Sequence, residues 1–196
     1  LGLAAAGFLL QAGSRSVHAR SHAPAVAAAG QTITLACDPA DMSDDIQNAV
    51  NTLRGLGGGT ITLPVCDAAF LNTIGSTSAL GFPGGISIIG QGAGRTILRS
   101  DGSTFFDINH WGTHSSGFRI SGITFVGVPA GSTGAYTNHG IEISNVVDFR
   151  IDHCEFHRIL YAILVRSPAG YAQSRGVVDH NAFDAQGLTA YGVSDT

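Results

Sequence analysis

The chain of 196 residues contains no lysine, and all ten of its cationic side chains are arginine. That absence alone excludes Schiff-base chemistry and a P-loop lysine. Charge of either sign is scarce, at 12% of residues with a formal net charge of −4. A basic nucleic-acid binder and an ordinary charged helical bundle are excluded with it. No apolar run reaches the roughly 20 residues a transmembrane helix needs, so no membrane span is expected in the mature chain. Cysteine is limited to Cys37, Cys66 and Cys154, at spacings that match no zinc pattern.

Glycine is plentiful, at 27 residues, and the first 30 positions are dominated by alanine and a short apolar run. Residues 1–30 read as the remainder of a secretory signal peptide, without its Met and basic start, followed by a disordered Ala-rich linker. A buried helix is the alternative. Export to the medium, the periplasm or the cell surface is the working expectation. In that setting Cys37, closing TITLAC, and Cys66, closing TITLPVC, suggest a disulfide between neighbouring strands, with Cys154 left over.

Residues 31–196 form the expected domain. Ile46, Val50 and Leu53 lie at helical spacing, acids open the run, Gln47 follows Asp44 by three residues and glycines end it, so the spacing predicts a short amphipathic helix over about 43–55. After it come short strands, among them TITLP, ISIIG, RTILRS, FFDI, GIEI, AILV and YGVS, separated by Gly, Asn, Ser and Pro. The segment Gly90-Gln91-Gly92-Ala93-Gly94 is followed by β-rich RTILRS rather than a helix, so it reads as a turn and not a dinucleotide loop.

Repetition is the strongest signal. FRISGITF at 118, FRIDHCEF at 149 and GVVDHNAF at 176 align with an apolar residue in the third column and Phe in the last. Such offsets suit one coil of a solenoid, in which like residues stack on like about 4.8 Å apart. Phe125, Phe156 and Phe183 would make one interior column, and Ile120, Ile151 and Val178 another. Ile123, Cys154 and Asn181 would mark a sharp, left-handed turn. Asp152 and Asp179 share a column and are expected to point outward. There they could bind Ca²⁺ or act as an acid, or serve as ordinary surface and turn residues. His153 and His180 share the next column, where turn packing is the favoured reading over a metal site.

The stretch DDIQNAVNTLRGLGGGTITLP followed by ISIIGQGAGRTIL resembles the opening module of right-handed parallel β-helix proteins of the pectate-lyase-like superfamily, which includes polygalacturonases, lyases and phage tailspikes. The resemblance implies an all-β fold, a single-stranded right-handed parallel β-helix with an N-terminal capping helix, and further coils beyond residue 196. It departs at Pro64-Val65-Cys66-Asp67, where the family often continues with Pro-Ala-Gly and an aromatic. Calcium-dependent pectate lyases carry an Asp-His like Asp152-His153, but of their first-strand calcium acids only Glu142 has a counterpart here, which disfavours an ordinary pectate lyase.

That first-strand face is where β-helix enzymes place a polysaccharide groove. Alternation points Glu142, Leu164, Arg166 and Ser194 outward on it, and His139, Tyr161 and Tyr191 are expected at the turn just before it as a ladder for sugar rings. The candidate catalytic residues are therefore Glu142, Arg166, Asp152 and Asp179, and the candidate substrate-binding residues are His139, Tyr161 and Tyr191. No metal or cofactor is assigned, with Ca²⁺ left open, and nothing specifies an oligomeric state. The expected function is a polysaccharide lyase or glycoside hydrolase on an acidic polysaccharide. The alternative is a noncatalytic surface or adhesion solenoid that binds glycan or protein.

Overall fold

A computed structural model describes residues 31–75, 85–109, 115–128, 139–166, 174–184 and 191–195. The expected leader at 1–30, together with His110 and His114, lies outside these residues. The side chains of 191–195, Tyr191 and Ser194 included, do so as well.

Helix α1 spans Ser43–Gly55 and buries Ile46, Ala49, Val50 and Leu53, with Asp44 and Asp45 in its first turn and Arg54 in its last, signs that suit the helix dipole. Its start differs from the expected Asp44–Gln47 arrangement. Asp41 Oδ1 accepts from Ser43 N at 2.8 Å and from Ser43 Oγ at 2.6 Å. Gln47 Oε1 accepts instead from Gly75 N at 3.2 Å, drawn off to satisfy a strand N–H of the coil beneath. The helix packs on Gly59–Thr62, Ile74–Gly75 and Ile86–Ile89 and so covers one end of the coil.

Among the described residues every strand pairing is parallel. The first sheet runs Thr32–Thr34, Gly59–Thr62, Ile86–Ile89, Arg119–Ser121, Val146–Asp152, Arg175–Asp179, with Ser115–Ser116 also beside Val146–Asp152. The second runs Cys66–Phe70, Thr96–Ser100, Thr124–Val126, Glu155–His157, Ala182–Asp184. The third runs Ile74–Gly75, Phe106–Asn109, His139–Ser144, Tyr161–Arg166, Tyr191–Asp195. The chain visits the three sheets in turn, which makes an all-β parallel β-helix and fits the right-handed coil that such crossovers adopt. No helix among the described residues is long and apolar enough to cross a membrane.

The columns fall where the repeats put them. Ile33, Ile61, Ile88, Ile120, Ile151 and Val178 are successive partners in the first sheet. Leu98, Phe125, Phe156 and Phe183 are successive partners in the second. Phe125 and Phe156 stack with centroids 5.1 Å apart, and Phe156 and Phe183 with centroids 5.4 Å apart. Burial of each ring contributes roughly 1.5–3 kcal/mol. Phe183, in the last of the described coils, is 45% exposed.

The sharp corner between the first and second sheets lies one position earlier than expected. Gly122, His153 and His180 hold positive φ values of 69°, 56° and 55°. Cys154 turns inward, and burial pushes its thiol up to about 12, which removes it as a nucleophile. Asn181 serves the corner by its amide: its Oδ1 accepts from Cys154 N and its Nδ2 donates to Ile151 O, both at 2.9 Å. The sequence pattern showed the bend but not which residue takes the left-handed backbone, because Asn and His are both among the side chains that adopt it.

Cys37 and Cys66 form the expected disulfide, with Cα atoms 5.6 Å apart. Cys66 opens the second sheet. The bond therefore closes the segment that carries the capping helix onto the first coil.

Candidate active site on the third sheet

On the third sheet Phe106, Ile108, Ile141, Ile143 and Ile163 are buried in the core, so alternation turns Asp107, Glu142 and Leu164 to the outer face. These three share one column: Asp107 pairs with Glu142, Glu142 with Leu164, and Gly75 stands opposite Asp107 on the other side. Leu164 faces outward as alternation requires, yet it and Ser144 are buried. These outward positions make a floor shielded from solvent.

Glu142 is held at both oxygens. His139 Nδ1 donates to Oε2 at 3.0 Å, and Arg166 Nη1 lies 2.8 Å from Oε1. The His139 hydrogen bond, joined by the Arg166 and His139 charges, keeps the Glu142 carboxyl below its ordinary range against the opposing effect of burial. Asp107 is in the reverse position. Its Oδ1 is buried without a hydrogen-bond partner among the described residues. Burial, then the neighbouring Glu142 charge, push its carboxyl above the usual range, opposed by Arg166 and His139.

His139 and Tyr161 are register partners at the heads of their strands rather than in a turn before them, and their rings meet edge to face at 5.3 Å. Gly140 permits this approach, because a Cβ there would run into the carbonyl oxygen of Ala162 on the next coil. Tyr191 continues the register beside Tyr161.

The fold thus brings Glu142, Arg166, His139 and Tyr161 together and leaves Asp152 and Asp179 on the first sheet. Those two do share a column, with Ser121 before them. Yet Asp152, expected outward and solvated, has a side chain that is 0% exposed. Arg119 donates to it through Nε at 2.7 Å and Nη2 at 2.6 Å, Ser121 Oγ at 3.1 Å and His153 Nδ1 at 2.7 Å. The Arg119 bond, chiefly, holds this carboxyl far below its usual range. A carboxylate so occupied is a structural anchor. Among the described residues no group of three or more His, Cys, Asp or Glu converges on a metal position.

Asp107 escaped the sequence reading, although the signal was there: Phe106-Asp107-Ile108 and Ile141-Glu142-Ile143 carry the same apolar, acid, apolar pattern in direct register. The longer offset between these two coils hid it.

The register and the outward cluster define a parallel β-helix with paired carboxyl groups on its third sheet. No family model and no curated protein matches the chain. Among solved structures it is similar to the A-module of the mannuronan C-5 epimerase AlgE6 of Azotobacter vinelandii, with 17% identity and a TM-score of 0.48, over 73% of this chain and 46% of that one. The chain spans about half the length of that module. The fold assignment rests on the strand register.

Proposed function

We propose that the protein is an exported, carbohydrate-active β-helix that cleaves an acidic polysaccharide, with Asp107 as proton donor and Glu142 as the carboxylate partner. The observation that carries this reading is the opposite displacement of the two carboxyl groups in one column. Environments that push two acids apart are what separates an acid role from a base or nucleophile role. In hydrolysis Asp107 would give its proton to the departing glycosidic oxygen as the bond to the anomeric carbon breaks, and Glu142 would attack that carbon or deprotonate a water that does. Neighbouring coils lie about 4.8 Å apart, which favours the close, nucleophilic arrangement over one with a water between the groups. Arg166 supplies positive charge for a uronate or sulfate, and Tyr161 and His139 offer ring faces and edges to a sugar. The Cys37–Cys66 disulfide supports export, since such bonds persist in oxidising compartments.

A lyase would use the same floor differently, removing the proton beside the uronate carboxylate while Arg166 neutralises the carboxylate. One observation favours a noncatalytic glycan-binding solenoid: both Glu142 oxygens already have partners. Incubation with a panel of uronate polymers, following new reducing ends and unsaturated products, separates the three. Reducing ends alone support hydrolysis, and unsaturated ends support elimination. Glycan binding with no product supports the binding solenoid.

A further inference from the structure

Gly75 heads the column that holds Asp107 and Glu142, and neither its backbone nor its packing calls for a glycine. It is not among the residues with positive φ, and its N–H donates to Gln47 Oε1 at 3.2 Å. A Cβ built on it would lie 3.5 Å from both Cβ and O of Asp107 and 3.9 Å from Thr73 Cγ2, all ordinary van der Waals contacts. Gly140 on the same sheet is the contrast, since a Cβ there would collide with the Ala162 carbonyl oxygen. Glycine inside a strand costs backbone entropy and packs nothing, so a side chain at position 75 would serve the strand better. What remains is the space that a side chain would fill.

That space lies on the outer face. Ile74 is buried in the core, so alternation turns position 75 outward, against Asp107. Asp107 thus has Glu142 on one side and the bare backbone of Gly75 on the other. In the hydrolysis proposed above, on which this inference rests, Asp107 protonates the departing oxygen and Glu142 acts on the anomeric carbon. The sugar that keeps that carbon lies over Glu142, and the sugar that leaves lies beyond Asp107. Beyond Asp107 is Gly75.

We infer that Gly75 is a specificity-determining residue, the floor of the subsite for the departing sugar, and that this sugar is an uncharged ring. Glycine lets a ligand approach the backbone closely. The segment that leads into it, Leu71-Asn72-Thr73-Ile74, carries no charge, whereas Arg166 stands one coil beyond Glu142. Charge selects the sugar that is attacked, and shape selects the one that leaves.

The test compares two substrates built on one uronic acid, using the full chain and its Gly75→Ala and Gly75→Leu variants. In the first the acid is joined to a neutral sugar, and the glycosidic carbon–oxygen bond breaks. In the second it is the glycosyl fluoride, whose carbon–fluorine bond breaks to release fluoride ion, so that no sugar occupies the leaving side. Water completes both reactions and gives the same free acid. Gly75→Leu should lower the ratio of kcat/KM for the glycoside to that for the fluoride at least about tenfold, and Gly75→Ala should lower it less. Any loss of folded protein cancels in that ratio, and Gly75→Ala carries the test if Gly75→Leu does not fold. An unchanged ratio would overturn the inference while leaving the hydrolysis in place, and so would a wild-type chain that turns over the fluoride alone. A wild-type chain that cleaves neither substrate removes the hydrolysis, and the inference with it.

Discussion

Asp107 and Glu142 face outward from adjacent coils of the third sheet, paired in register, and their surroundings drive the two carboxyl groups in opposite directions. If they work as donor and partner, Asp107→Asn and Glu142→Gln should each lower product release from a uronate polymer by about 10²- to 10⁴-fold. The same variants should part ways in stability. A carboxyl raised on folding binds its proton more tightly in the native state, so its contribution is fullest at low pH and is lost as pH rises through the raised value. Asp107→Asn should therefore raise the melting temperature at neutral pH. Glu142→Gln should lower it, because a carboxyl depressed on folding stabilises above its unfolded pKa. Thermal melts of both variants at pH 4 and pH 7 check the signs.

Asp152 should be the most sensitive acid in the chain. Its side chain is shielded from water and carries the Arg119 fork, so Asp152→Ala removes charged hydrogen bonds to a half-exposed guanidinium and should cost about 1–3 kcal/mol by urea denaturation. Its folded pKa is strongly lowered, so its contribution is present above the unfolded carboxylate value and is lost as pH falls below it. The wild-type chain should lose this stabilisation progressively below about pH 5, and the Ala variant should show a flatter acid limb.

The Cys37–Cys66 bond closes a loop with a sequence separation of 29 residues that contains the whole capping helix. Loop-closure entropy for that length gives about 3–4 kcal/mol. Reduction, or a double Cys→Ser variant, should lower unfolding stability by that amount. Hydrogen exchange should show the loss first in Ser43–Gly55.

Phe156 lies between Phe125 and Phe183 and is buried, so Phe156→Ala should cost about 3–5 kcal/mol. Phe183→Ala should cost clearly less, since that ring is half exposed. Equal losses in the two variants would mean that both rings are equally enclosed in solution.

The coil was legible because a period-two pattern repeated on one pitch fixes both inward faces and register: Ile120, Ile151 and Val178 aligned by sequence are aligned in space. The disulfide was legible for a related reason, as both cysteines fall near strand ends. The candidate site was only half legible. Glu142 and Arg166 came from outward positions on matched strands, and His139 and Tyr161 from the positions just before them, but Asp107 sits across an irregular offset that no repeat bridges. Burial on the outer face was not readable at all. Alternation gives direction, and it could not show that Arg119 lies over Asp152 or that Leu164 is covered.

The column that holds the two acids is also unequal at its ends. It begins at Gly75, which contributes no side chain, and past the two acids runs through Leu164, which is buried and apolar, to Ser194. A ladder of identical rungs has no up or down, but this one does. The side without a side chain and the side with a covered apolar one differ, so the two directions along the coil axis are not interchangeable at the acids.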